Sequence, residues 1–134
     1  MNKVKVVIEN AGANLSAYVE GAPIISVGNN IAEIESNIKE AISLYLDSCK
    51  DLNIAPAECL SGTYQLDFHL DAATFINYYS GIFTKAALSR ITGINERQLW
   101  FYATGAHKPR QKQTEKIQKG IAALANELSS ISLS

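Results

Sequence analysis

Over the first seventy residues, apolar and polar positions alternate. Val4, Val6 and Ile8 fall on one side of an extended segment, with Lys3, Lys5 and Glu9 on the other; Leu15, Ala17 and Val19 repeat the pattern against Ser16, Tyr18 and Glu20. A period of two is the signature of half-buried strands. The residues between them, Asn10-Ala11-Gly12-Ala13-Asn14, read as a five-residue hairpin loop. A third short strand over residues 24–27 leads into Gly28-Asn29-Asn30, and there the period changes. Ile31, Ile34, Ile38, Ala41, Ile42 and Tyr45 lie at helical spacing, and Asn30 with Glu33 three residues on has the form of a capping box. This helix fades through Asp51 toward Pro56. Tyr64, Leu66, Phe68 and Leu70 then alternate with Thr63, Gln65, Asp67 and His69, the clearest strand of the chain. Residues 1–70 are therefore expected to form an α+β domain of three strands, a helix and a strand, with the helix laid over one face of a sheet.

After Asp71 the alternation stops. Asp71 is placed to cap a helix carrying Phe75, Ile76 and Tyr79, which Gly81 would end. Thr84 is placed to cap a helix over residues 85–92 that buries Ala87, Leu88 and Ile91. Gly93-Ile94-Asn95 is a tight turn, and Asn95 with Gln98 repeats the capping-box signature. The short helix from Glu96 should end at Gly105, a residue suited to the left-handed conformation past a helix end. After a basic loop containing Pro109, a final helix carries Ile117, Ile121, Leu124, Ala125 and Leu128 on one stripe. Two short helices joined by a glycine turn and supported by others make the pattern of a helix-turn-helix. Residues 71–134 are thus expected to form an all-α helix-turn-helix domain.

Composition adds limits. At 134 residues and 47% hydrophobic, the chain can bury a real core. No apolar run approaches membrane-spanning length, and the opening residues form a strand pattern instead of a signal peptide, which predicts a cytoplasmic protein. Cys49 and Cys59 lack the neighbours of a zinc site or a disulfide framework and read as two reduced thiols. Charge is divided more sharply than the net −1 indicates. Residues 1–83 hold four Lys/Arg and ten Asp/Glu, whereas residues 84–134 hold eight and three, giving −6 and +5. The basic half is a candidate for phosphate, against the plainer reading of a solvated helix surface.

The stretch "FTKAALSRITGINERQLWFYATGAHKPRQKQTEKIQKGI" resembles the lambda-repressor and Cro class of helix-turn-helix domains. The resemblance rests on Ala87 in the first helix, Gly93 in the turn, Ile94, the capping Asn95, inward Leu99 and Tyr102, and the Gly105-x-x-Lys108-Pro109 ending. The preceding module, with "VKVVIE", "LSAYVE" and "ISVGNN", resembles the partial RNase H-like domain of HicB-type antitoxins. Together the two cover almost the whole chain. The resemblance implies an antitoxin whose domain over residues 1–70 neutralises a small, basic, RNA-cleaving HicA-like toxin, and whose domain over residues 71–134 represses its own operon. It implies no cofactor or metal, double-stranded operator DNA and the toxin as partners, and a homodimer or higher homo-oligomer meeting paired half-sites.

Successive helical residues are turned by roughly 100°, so Trp100, Phe101 and Tyr102 cannot share one buried face. With Leu99 and Tyr102 inward, Arg97, Phe101 and Thr104 lie on the far side and Trp100 at its margin. Trp100 and Phe101 are expected to look out, toward thymine methyls in a major groove, toward another protein, or beneath the helix over residues 71–79. The family usually carries small or polar residues at these two places. Glu96, Arg97 and Gln98 complete the base-contact candidates: Arg97 by its two-pronged match to guanine, Glu96 or Gln98 for cytosine or adenine, with capping the plainer role for Gln98. Phosphate candidates are Thr84 and Lys85 at a helix start, Thr104, and Lys108, Arg110 and Lys112 beyond the reading helix. Arg110 stands where the family commonly has a capping Ser, so the start of the last helix should lack a side-chain cap.

An enzyme is not expected. Glu9, Glu20, Asp67 and Asp71 are single and scattered near strand ends, unlike carboxylates converging on magnesium. His69 beside Asp67 has no accompanying nucleophile, and His107, in the basic loop, either meets phosphate when charged or, the preferred reading, is a solvent-facing loop residue. Two other readings stay open: a stand-alone helix-turn-helix regulator, and a protein-interaction adaptor using Trp100 and Phe101 without DNA.

Overall fold

A computed structural model describes residues 1–134 as a mixed α/β protein with one four-stranded sheet and five α-helices. The chain divides into two compact units, Met1–Asp71 and Ala72–Ser134.

In the first unit, β1 (Asn2–Ala11), β2 (Asn14–Val19) and β3 (Ile25–Gly28) precede α1 (Ile31–Asp51), a 3-10 turn (Glu58–Leu60) and β4 (Tyr64–Leu70). The sheet order is β3-β2-β1-β4, with β4 parallel to β1 and the other pairs antiparallel. A parallel neighbour cannot be reached by a hairpin, so the helix forms part of the crossover to β4. Alternation then does what it predicts: Val4, Val6, Ile8, Leu15, Ala17 and Val19 are buried on one face, against Ile34, Ile38, Ile42 and Cys49 of α1. Each Val, Leu or Ile among them contributes about 1.5–3 kcal/mol by leaving water. Because α1 packs over β2 and β3, Tyr64, Leu66, Phe68 and Leu70 of β4 stay only half-buried.

Two local expectations change. The β1–β2 hairpin closes on Gly12 and Ala13 alone, since Ala11 pairs with Asn14. Gly12 has φ +82°, and a glycine at positive φ in the first position of a two-residue turn matches the strand twist better than a longer loop. At α1, Asn30 Oδ1 accepts from the Glu33 N–H at 2.8 Å, but the Glu33 carboxylate accepts from Asn29 at 3.0 Å, one residue further back than a reciprocal box would have it.

The second unit holds α2 (Ala72–Tyr78), α3 (Lys85–Thr92), α4 (Glu96–Thr104) and α5 (Gln111–Ser130). Ile76, Leu88, Ile94, Leu99, Tyr102 and Ile117 form its core, with Phe75, Phe83, Ile91, Ala103 and Ile121 packed around them. Gly81 does not end α2 by a left-handed turn, as its φ is not positive. The helix stops at Tyr78, and the Tyr79 carbonyl accepts from Ile82 and Phe83 at 2.9 and 2.8 Å. The apolar stripe of α5 is covered only in part: Ile117 is buried and Ile121 packs on the core, but Ala125 and Leu128 are exposed. Its partner α3 has eight residues, a length of about 12 Å, against about 30 Å for α5. The approach of α5 to α3 is made at Gly120, where a Cβ would lie 2.4 Å from the Ile91 carbonyl oxygen.

Candidate nucleic-acid interface

The α3–α4 pair is fixed at both ends by its own sequence. Thr84 Oγ1 accepts from the Ala87 N–H at 3.0 Å and opens α3. Gly93 closes it at φ +77°, its N–H donating to Ser89; a left-handed residue there costs glycine little and a side chain more. Thr92 Oγ1 donates to Leu88 O at 2.7 Å and accepts from the Ile94 N–H at 3.2 Å, so the turn keeps its polar atoms paired although buried. Asn95 Oδ1 then accepts from the Gln98 N–H at 2.8 Å and starts α4, a cap that contributes about 1 kcal/mol.

Leu99 and Tyr102 face the core. The opposite side of α4 presents Glu96, Arg97 and Trp100, all exposed, with Trp100 at 52%. Phe101 is half-buried, because its neighbours cover it. Its ring lies 4.6 Å from that of His107 and 5.4 Å from that of Trp100, and the Arg97 guanidinium sits 5.9 Å from its centroid. The His107 N–H also donates to the Phe101 carbonyl at 3.2 Å, pinning the following loop to the ring. The outward aromatics thus form a ridge from Trp100 through Phe101 to His107, with Arg97 laid along it. The helix that packs beside α4 does so elsewhere, where Asn77 Nδ2 donates to the Ala103 carbonyl at 2.9 Å.

A cleft of about 370 Å³ opens beside this ridge, lined by Gln98, Tyr102, His107, Lys108, Arg110 and Gln113. Gln98 borders the cleft, and of the capping box only the bond from the Gln98 N–H to Asn95 Oδ1 forms. Arg110 is the N-cap of α5, and since a guanidinium has only donors it cannot accept from the first-turn N–H groups, so the helix starts without a side-chain cap. Lys112 is exposed one turn into the basic segment, and Lys85 is half-buried at the start of α3. Thr104 is committed locally: its hydroxyl donates to the Phe101 carbonyl at 3.1 Å and accepts from the Ala106 N–H at 3.4 Å. Thr84 keeps its hydroxyl hydrogen while its oxygen caps α3.

The electrostatics follow from what is not paired. The ion pairs of the chain, Lys5 with Glu20 at 3.9 Å and His69 with Asp67 at 2.8 Å, both lie in the first unit. No Lys or Arg of the second unit is held by a carboxylate, and from Lys85 to Lys119 the acids are Glu96 and Glu115 alone. Sequence reasoning does not bring Gln113 to the site, and it prefers a solvent-facing reading of His107 to a phosphate contact. His107 is fixed by a ring contact across a loop turn, for which spacing carries no signal; Gln113, one turn after Arg110, shares its helix face and was legible in principle. No three side chains of metal-ligating type converge. Both cysteines are free, Cys49 in the core and Cys59 directed to the Glu20 carbonyl at 3.8 Å. No helix is long and apolar enough to cross a membrane. Compared with known protein families, curated proteins and solved structures, the chain matches none.

Proposed function

We propose that the chain is a HicB-type antitoxin and autorepressor of the cytoplasm, with a partial RNase H-like domain at residues 1–70 that covers a small basic RNA-cleaving toxin and a helix-turn-helix domain at residues 71–134 that binds operator DNA. The observation that carries the DNA half is the α3–Gly93–α4 geometry. A nine-residue helix, capped by Asn95, presents Arg97 and Trp100 outward and is flanked by Lys108, Arg110 and Lys112. A helix about 10 Å across enters a major groove about 12 Å wide. Arg97 then meets guanine, Trp100 meets a thymine methyl, and the loop cations hold phosphates. Phe101, packed between Arg97, Trp100 and His107, serves as the floor of the reading face and not as a bare contact. Thr104 is a weak phosphate donor, its hydrogen already given to Phe101.

The toxin half rests on charge and on the sequence resemblance. With four Lys and nine Asp/Glu, residues 1–70 carry −5, which favours encounter with a basic partner. The test is to purify the tagged chain from its own cells and identify what elutes under denaturing conditions. A small basic chain at near-equal amount, cleaving RNA once freed, supports the antitoxin reading. Its absence from a folded bait, expressed with its genomic neighbours, leaves a stand-alone DNA-binding regulator. The exposed Trp100 favours one further reading, an adaptor whose aromatic ridge docks on protein; DNA affinity unaffected by Trp100→Ala and by Lys108→Ala would select it.

A further inference from the structure

The sheet of the first unit ends on an unpaired edge. β4 is the terminal strand in the order β3-β2-β1-β4, and no strand pairs with its outer side. Its seven residues, Tyr-Gln-Leu-Asp-Phe-His-Leu, contain no Lys and no Pro, residues by which edges are commonly blunted, and carry a single carboxylate, Asp67. In a parallel ladder, alternate residues aim both backbone groups at one neighbour. The Asn2 N–H donates to the Thr63 carbonyl at 3.1 Å, which sets the phase: Gln65, Asp67 and His69 bond inward to β1, and Tyr64, Leu66, Phe68 and Leu70 turn their N–H and C=O groups outward. The same four residues leave their side chains half-buried on the face that α1 covers incompletely.

We infer that β4 pairs with β4 of a second copy of this chain, antiparallel and in one register. Outward groups must meet outward groups, so only pairings of even-numbered residues with even-numbered residues are allowed. Asp67 and His69 of the other face then choose among them, because only one even-to-even register sets every Asp67 against a His69; pairing Leu66 with Leu66, for example, sets Asp67 against Gln65. Pairing Leu66 with Phe68 sets Asp67 of one copy against Asp67 of the other. Pairing Phe68 with Leu70 sets His69 against His69. Pairing Phe68 with Phe68 sets Leu66 against Leu70 and Asp67 against His69, twice, by the two-fold axis. Within one chain His69 Nε2 already lies 2.8 Å from Asp67 Oδ2, both side chains exposed. In the chosen register each carboxylate gains a second imidazole as a hydrogen-bond partner, and acid and imidazole alternate across the seam. On the opposite face two phenyl rings meet between pairs of leucines, a favourable cross-strand arrangement. The product is one eight-stranded sheet with both copies of α1 on the same face. This edge lies wholly in the first unit and does not depend on whether α4 reads DNA.

The experiment uses the full chain and measures its oligomeric state by sedimentation and light scattering. The wild type is expected to associate, and Asp67→Lys and His69→Glu are each expected to weaken association roughly tenfold or more, two cross-strand pairs being inverted per dimer. The decisive sample is the equimolar mixture of the two variants. There the introduced lysine of one chain faces the introduced glutamate of the other, and the remaining Asp67 faces the remaining His69, so association should return to near the wild-type strength. The pair within each strand stays broken in that mixture, so recovery reports contact between chains. Amide exchange on the wild type gives an independent reading: the Leu66, Phe68 and Leu70 amides should be protected when concentrated and exchange freely on dilution. A monomeric wild type, an oligomer indifferent to both variants, or folded variants whose mixture does not recover would each overturn the inference.

Discussion

Replacing Gly120 by alanine sets two effects of known sign against each other. In the middle of a helix, Ala is favoured over Gly by about 1 kcal/mol, so propensity alone predicts a more stable protein. The added Cβ, however, would stand 2.4 Å from the Ile91 carbonyl oxygen, 3.0 Å from its carbon and 3.2 Å from Thr92 Cα. All three are backbone atoms of α3 and cannot rotate aside. Relief requires α5 to withdraw by about 1 Å, loosening Ile117 and Ile121 against the core. Overpacking costs typically about 1–3 kcal/mol and occasionally more; with backbone as the obstacle the upper end applies, leaving a net loss of about 2 kcal/mol after the propensity gain. Trp100 is the sole tryptophan and lies in α4, so its emission during urea denaturation follows the second unit alone. The exposed position Ala123 supplies the control, since Ala123→Gly should lose only the propensity term of about 1 kcal/mol. An unchanged or raised urea midpoint for Gly120→Ala would refute the close approach of α5 to α3, and with it the support of the α3–α4 pair.

Other changes probe the interface and the core beside it. Asn95→Ala removes the bond to the Gln98 N–H and should cost about 1 kcal/mol, read by the same urea experiment, with a parallel loss of DNA affinity. Lys108→Ala should weaken binding to selected and scrambled duplexes alike, whereas Arg97→Ala should weaken the selected one by about 1–3 kcal/mol and relax the choice between them; anisotropy titrations of both duplexes decide this. Burial, and secondarily the neighbouring Tyr78, pushes the Tyr79 phenol up from its ordinary value. The unfolded chain therefore ionises first as pH rises, so stability present below about pH 10 should fall as pH climbs toward the folded value. Tyr79→Phe should flatten that alkaline loss in urea midpoints measured from pH 8 to 11.

Local signals were legible where they were chemically local. The bounds of α3 and α4 follow from Thr84, Gly93, Asn95 and Gly105, each acting on residues within one turn of itself. The strand pattern of Tyr64 to Leu70 carried β4 in full. What the sequence left unread depends on partners distant along the chain. Gly120 looks like a weak point in a helix until Ile91 is known to lie against it. The second half of the α5 stripe is apolar by period yet uncovered, because periodicity reports what a helix can bury and not how long its partner is. Phe101 was legible as outward-facing, but its cover by His107 comes from a loop turn that no spacing encodes. By composition Gly12 belongs to a five-residue loop, because the flanking Asn and Ala residues are loop-like; its positive φ permits the two-residue turn instead.

The central claim is that the second unit holds DNA by phosphates and reads it with α4. Its most direct test is the affinity of the full chain for a duplex selected from a random pool, measured across salt concentration. Lys85, Lys108, Arg110 and Lys112 are the cations assigned to the backbone, so the logarithm of the association constant should fall with the logarithm of salt at a slope of about −3 to −4 for each copy bound. Lys108→Ala should make that slope shallower by about 1. A slope near zero, or one that Lys108→Ala leaves unchanged, would contradict the assignment of this surface to DNA.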